Sequence, residues 1–158
     1  MNIFAVHDDP IVAASMLCDQ HVVKMPVENC QMLAAVFEDE YCGHPKSVFK
    51  HPCTLWLKKS SANVNWLLMH HKATLEEYFF RYGRKHKFDD SPSHFWNLQP
   101  EDQLPSSSKT PFANATPYKD MDDTIEAYRH FYCVDKSKFA RWRYTDKPAW
   151  YRPLSSAG

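Results

Sequence analysis

The sequence predicts an all-α fold, and three observations carry that expectation. Glycine is scarce against proline, three residues against eleven, which disfavours the tight hairpins of sandwiches and barrels and leaves no glycine-rich phosphate loop. No regular train of short alternating strands runs along the chain. Apolar residues instead recur at spacings of three and four over long windows, most clearly in "ANVNWLLMHHKATLEEYFFRYGRK". With 158 residues, 44% hydrophobic and 15% aromatic, there is enough material for one compact helical domain over 1–158 with a single core.

The elements follow in order. Asp9 is an N-cap ahead of a proline at the first helical position, so "PIVAASMLCD" opens as a short helix. "CDQHVVKMPVENCQML" begins a second helix, expected to run to about Glu40 with Pro26 restarting or kinking it. "EYCGHPKSVFKHP" reads as a connection, and His51-Pro52 starts a short helix through Lys59. Ser60 or Ser61 caps the long helix that follows. Residues 88–118 are rich in Pro, Ser, Asn and Asp and read as a long irregular loop, a feature often functional in compact domains. Two short helices, "MDDTIEAYRHFY" and "DKSKFARWRY", are expected next, then an aromatic and basic tail over 145–158.

No apolar run approaches the roughly 20 residues needed to cross a bilayer, and "MNIFAVHDDP" lacks a basic flank and long apolar stretch. The expectation is an intracellular, cytoplasmic protein with no membrane partner. Cys18, Cys30, Cys42, Cys53 and Cys133 are an odd set in a chain large enough to fold without staples, so reduced thiols are expected. Net charge is zero, yet its distribution is uneven. From Asp89 to Asp123 seven acidic residues face two lysines, whereas from Arg129 to Arg152 seven Lys or Arg face two aspartates. A basic C-terminal surface of this kind can steer a polyanion to one face.

On a helical wheel His21, Lys24, Glu28 and Gln31 fall within an arc of about 80°, with apolar residues over most of the rest. Taken alone, this is the pattern of a solvated face with a weak i,i+4 ion pair between Lys24 and Glu28.

Longer motifs add to it. "DQH" followed seven residues later by glutamate resembles the first long helix of the pyrimidine-dimer DNA glycosylases of the bacteriophage endonuclease V type. "HPCTLW", "EEYFFRYGRK" and "DKPAWY" resemble, in order, a proline-led helix, the end of the next long helix and the terminal Pro-x-Trp-Tyr segment of that family. The resemblance implies a compact helical fold and a glycosylase with abasic-site lyase activity on damaged or modified pyrimidines in double-stranded DNA. It implies no cofactor or metal, and for a phage-encoded chain the host cytoplasm; a monomer is expected. Glu28 takes the position of the essential carboxylate. A free amine attacks C1′, the base departs through a cationic sugar-like transition state, and the resulting Schiff base permits strand cleavage.

In that family the amine is the N-terminal one, exposed by removal of the initiator methionine ahead of a small residue. Here Asn2 follows Met1, so the amine is expected on Met1, and the segment before "DQH" is several residues longer. Lys24 is the substitute amine, although an ordinary lysine offers a few-hundredfold less free base at neutral pH than an α-amine. Met1, Asn2, His21, Lys24 and Glu28 therefore form the candidate catalytic set. Where the family carries arginines before and three residues after its glutamate, this chain has Val27 and Gln31. Phosphate contacts are expected instead from Arg81, Arg84, Arg141, Arg143 and Arg152, with Trp150 and Tyr151 stacking on bases or sugars.

Two other readings stand beside this one. A catalytically inert relative could bind DNA or a protein partner through the same cleft. Cys42, His44, His51 and Cys53 are chemically sufficient for tetrahedral zinc, which would suit a zinc-dependent hydrolase, but their spacing is unlike common finger or ribbon patterns.

Overall fold

The computed structural model describes residues 2–154, and their regular secondary structure is helical without a strand. Residues 2–9 run as an irregular lead into α1 (Pro10–Ser15), buried over residues 2–6. Asp9 caps α1 as its sequence requires, its Oδ1 accepting from the amides of Ile11 at 2.8 Å and Val12 at 3.0 Å. The helix stops at Ser15, earlier than expected, and Cys18 is already extended.

α2 (Asp19–Phe37) continues through Pro26 without a restart. It ends short of Glu40 because Glu38 turns left-handed (φ 50°), and the Asp39 amide then bonds back to the Ala34 carbonyl at 2.8 Å. The connection after α2 contains a 3₁₀ turn over Lys46–Lys50. α3 (Pro52–Lys58) is capped by His51, whose Nδ1 accepts from the Cys53 amide at 3.1 Å. α4 (Ser61–Tyr82) starts at Ser60, whose Oγ accepts from the Ala62 amide at 3.1 Å. It ends at Gly83, where φ is +69°, the left-handed conformation that glycine adopts without a Cβ penalty.

The loop expected over 88–118 holds two short helices, α5 (Ser91–Trp96) and α6 (Pro100–Gln103), both with proline in the first turn. α7 (Thr124–Val134) follows, capped by Asp123.

The helix expected over "DKSKFARWRY" does not form. After a single turn, in which Ala140 donates to the Lys136 carbonyl, the backbone turns outward to α2. The Asp19 amide donates to the Arg141 carbonyl at 2.8 Å, and the Arg143 amide donates to Asp19 Oδ2 at 2.8 Å. Trp142 reaches the Met16 carbonyl at 3.1 Å through its indole N–H. Tertiary hydrogen bonds satisfy the groups a helix would have paired internally.

α4 is the central element, packed against α1, α2 and α3. Trp56, Leu57, Leu67, Leu68, Phe95, Tyr128 and Tyr132 are among the largest fully buried side chains, and they join one contiguous cluster with the N-terminal segment. Two histidines lie inside it. His70 Nδ1 meets the Pro10 carbonyl at 2.9 Å, and His71 bridges Asn29 at 3.3 Å and Ser91 at 2.6 Å.

Burial lowers His70 to about 4, and burial followed by the charges of His70 and His86 lowers His71 to about 3. In an unfolded chain both titrate near 6.5, so below that pH the unfolded state binds more protons and stability falls. The loss should begin near pH 6.5 and continue to the folded values, about 4 and about 3, reaching about 3 kcal/mol for His70 and about 5 kcal/mol for His71. Urea unfolding between pH 7 and 5 should show a falling midpoint, and His71→Gln should shrink that slope by about one proton. A midpoint independent of pH in this window would refute the assignment.

Candidate active site

The four residues of the α2 stripe do not share one environment. Lys24 is exposed, Glu28 and Gln31 are half-buried, and His21 is buried with 4% of its surface exposed. Gln20 and Val23 are exposed beside Lys24, so the open face of α2 is rotated away from His21. Glu28 lies at the boundary between open and covered surface, engaged in a polar or ring interaction of its own.

What covers His21 is the N-terminal segment and α7. Phe4 stacks on its ring at 4.2 Å between centroids, and Phe139 approaches edge-on at 5.5 Å. Its Nδ1 lies 2.5 Å from the Tyr132 hydroxyl, which also accepts from the Cys18 amide at 3.3 Å. Burial, then the positive charges of Lys136 and Lys24, lower His21 to about 3, so it is neutral at physiological pH. Phe4, Tyr132 and Lys136 were not singled out in the sequence. Their signal there is an ordinary aromatic or lysine, and only the fold brings them to this ring.

The N-terminal segment is locked to this region. Asn2 is 6% exposed, donates to the Ala115 carbonyl at 3.2 Å and accepts from the Phe4 amide at 3.0 Å. Phe4 holds φ +42°, a sparsely populated conformation for a bulky side chain that the surrounding packing enforces. Met1, the expected nucleophile, lies outside the described residues.

The expected DNA contacts separate into two groups. Arg141 and Arg143 are exposed and line a cleft of about 250 Å³ with Asp19, Gln20, Tyr82, Phe139 and Tyr144. Arg84 and Arg152 are also exposed. Arg81, expected as a phosphate contact, lies inside the fold: its side chain has no exposed surface. Its guanidinium donates to the carbonyls of Leu17 at 2.7 Å and Ser15 at 3.1 Å, to Asp19 at 3.2 Å and to Glu77 at 2.9 Å. These are groups left open where α1 ends and α2 begins, so Arg81 closes that junction.

The aromatic tail packs against the fold. Tyr151 is buried with its ring 4.6 Å from Trp142, and the half-buried Trp150 packs 5.8 Å from Tyr132 with its indole N–H directed to the Met16 sulfur at 3.4 Å. Both anchor the C-terminal segment on α7, while residues 155–158 of the expected tail lie outside the described residues.

The zinc reading has no ligand set. Among the described residues no group of three or more His, Cys, Asp or Glu side chains lies where it could hold a metal. His51 is occupied as a helix cap, and Cys53 is buried, its thiol pushed up to about 12 by desolvation. Cys42 instead faces Cys30, and this thiol contact lowers Cys42 while raising Cys30. Among the described residues no helix is long and apolar enough to cross a membrane.

Residues 1–90, more than half of the chain, match the family described as pyrimidine dimer DNA glycosylase. The chain belongs to that family. The matched span carries the N-terminal segment, α1 to α4 and therefore Glu28, whereas α7, Lys136 and the Arg141–Arg143 strip lie beyond it. No curated protein and no solved structure matches the chain. The family acts on DNA, which makes DNA the partner that its exposed cations would meet.

Reassigning Arg81 to the fold has a direct test. Arg81→Met should cost about 3–5 kcal/mol in urea unfolding, because it strands a buried carboxylate and two carbonyls. Arg84→Ala, at an exposed site, should change stability by less than about 0.5 kcal/mol. Near-normal stability of Arg81→Met would return this arginine to the candidate phosphate contacts.

Proposed function

We propose that this protein is a DNA glycosylase with associated abasic-site lyase activity on damaged pyrimidines in duplex DNA, with Glu28 as the catalytic carboxylate. The supporting observation is the position of Glu28: in the matched span, half-buried at the edge of the open face of α2, two turns from a ring clamped by the N-terminal segment. A carboxylate at such a boundary can touch a substrate while keeping a partly desolvated field, which strengthens its effect on developing positive charge.

The reaction needs a primary amine as nucleophile. Its lone pair forms the bond to C1′ while the glycosidic C1′–N bond breaks and the base leaves with that electron pair, taking up a proton. Opening of the sugar ring gives the Schiff base. Loss of a C2′ proton then expels the 3′ phosphate by β-elimination. Glu28 stabilises the cationic stage and is the group placed to relay these protons. The α-amine of Met1 is the first choice of nucleophile, because the covalent chain ties it to Asn2, a buried point held on the Ala115 carbonyl two residues before the Phe4 ring that stacks on His21. Lys24 is exposed on the same stripe and is the second. His21, neutral and clamped between Phe4 and Tyr132, orients this wall of the site without exchanging protons near neutral pH.

Glu28→Gln preserves shape while removing the charge, so turnover on dimer-containing or abasic duplex should fall by about a hundredfold or more with the melting temperature unchanged. Borohydride trapping should give a covalent protein–DNA adduct that survives Lys24→Met and maps to the N-terminal peptide. Loss of trapping in Lys24→Met would move the nucleophile to that lysine. Wild-type turnover by Glu28→Gln on every lesion assayed would remove the enzymatic reading and leave a DNA-binding relative.

A further inference from the structure

We propose that the Lys136 ammonium is a fixed phosphate anchor for a DNA strand lying along the Glu28 stripe of α2. This inference rests on the proposed action on DNA and adds to it a contact from outside the family-matched span.

Lys136 follows α7 directly, and its backbone is immobilised. Its amide donates to the Phe131 carbonyl at 3.2 Å, and its carbonyl accepts from Phe139 at 3.1 Å and Ala140 at 2.9 Å. The side chain is half-buried over three phenyl rings, with Nζ at 4.6 Å from the Phe131 centroid, 5.8 Å from Phe139 and 6.0 Å from Phe4. Phenyl faces attract a cation and hold it in place, but they contribute no counter-charge. No ion pair among the described residues engages Lys136; the adjacent carboxylate Asp135 accepts from the Tyr118 hydroxyl at 2.5 Å, and Asp19 is committed to Arg81 and to the Arg143 amide.

Its surroundings are cationic. Lys136 and Lys24 both act on the His21 ring from nearby, and Arg141 and Arg143 line the cleft that Phe139 shares. Cations gathered on one face attract counterions in solution, and a phosphodiester that displaces them gains affinity through their release. Position fits as well. His21 and Glu28 are seven residues apart on one helix, about 10 Å of rise, which corresponds to about three nucleotide steps along one strand of B-form DNA. Lys136 stands over the Phe4 ring that stacks on His21, at the other end of this span, which suits a phosphate of a strand whose reacting sugar sits at Glu28.

The test is equilibrium binding, as a function of salt, to a duplex carrying an uncleavable tetrahydrofuran abasic analogue, so that chemistry does not enter the readout. Lys136→Met and Lys136→Gln should each reduce the slope of log affinity against log salt by about 0.9 and weaken low-salt binding by about tenfold. Lys136→Arg should retain the wild-type slope. Lys138→Met, at an exposed neighbouring lysine, should change neither quantity. An unchanged slope in both folded Lys136 variants would overturn the anchor, as would an equal loss in Lys138→Met, which would mean diffuse surface charge. These results are independent of Glu28→Gln turnover, so the anchor can fail while the glycosylase reading stands; wild-type protein that binds no duplex would remove both.

Discussion

The arrangement of this molecule depends on one buried ion pair and what each partner holds. Arg81, at the end of α4, fills its donors with Asp19, Glu77 and the carbonyls of Ser15 and Leu17. Asp19 in turn accepts the Arg143 amide, while the Asp19 amide binds the Arg141 carbonyl. Three distant parts of the chain are fixed relative to one another: the α1–α2 junction, the last turn of α4 and the basic segment after α7. A buried guanidinium is costly to desolvate unless nearly every donor is used, and here the unpaired carbonyls of a helix end supply the acceptors.

That hub explains where the candidate site lies. Because Asp19 begins α2, the hub fixes the helix two turns before Glu28 and sets the 136–143 segment alongside its first turns. The N-terminal segment then closes over His21 from the other side, with Phe4 and Tyr132 as the jaws. The result is a helix face bounded by a clamped aromatic wall and by the cations Lys24, Lys136, Arg141 and Arg143. A neutral chain thus keeps a locally positive face, because charges distribute by contact and not by sequence average.

Buried histidines recur through this architecture. His21, His70 and His71 all have their basicity lowered chiefly by burial, and each has a named hydrogen-bond partner. They act as polar packing groups that specify orientation, connecting α2 to α7, α4 to α1, and α4 to α2 and α5. His21 is the one of the three placed beside the candidate site, so its neutrality there leaves the proton traffic to carboxylate and amine.

The sequence by itself determined the helical class and most helix starts, since capping is local chemistry: Asp9, His51, Ser60 and Asp123 bond to amides two or three residues away. The resemblance carried by "DQH" and the later glutamate made Glu28 the leading candidate, and Arg141 and Arg143, expected as phosphate contacts, are exposed in the structure. The sequence did not determine which polar residues of the α2 stripe face water, because helical spacing defines a face without saying what covers it. His21 was lost to solvent only because Phe4 and Phe139 arrive from opposite ends of the chain. Arg81, Trp150 and Tyr151 look the same in sequence whether they hold a phosphate or a neighbouring group of the chain, and in the structure each has partners within the fold. The helix expected over 135–144 failed for the same reason: its amides and carbonyls found partners at the start of α2, more than a hundred residues away, and long-range hydrogen bonds outweighed local propensity.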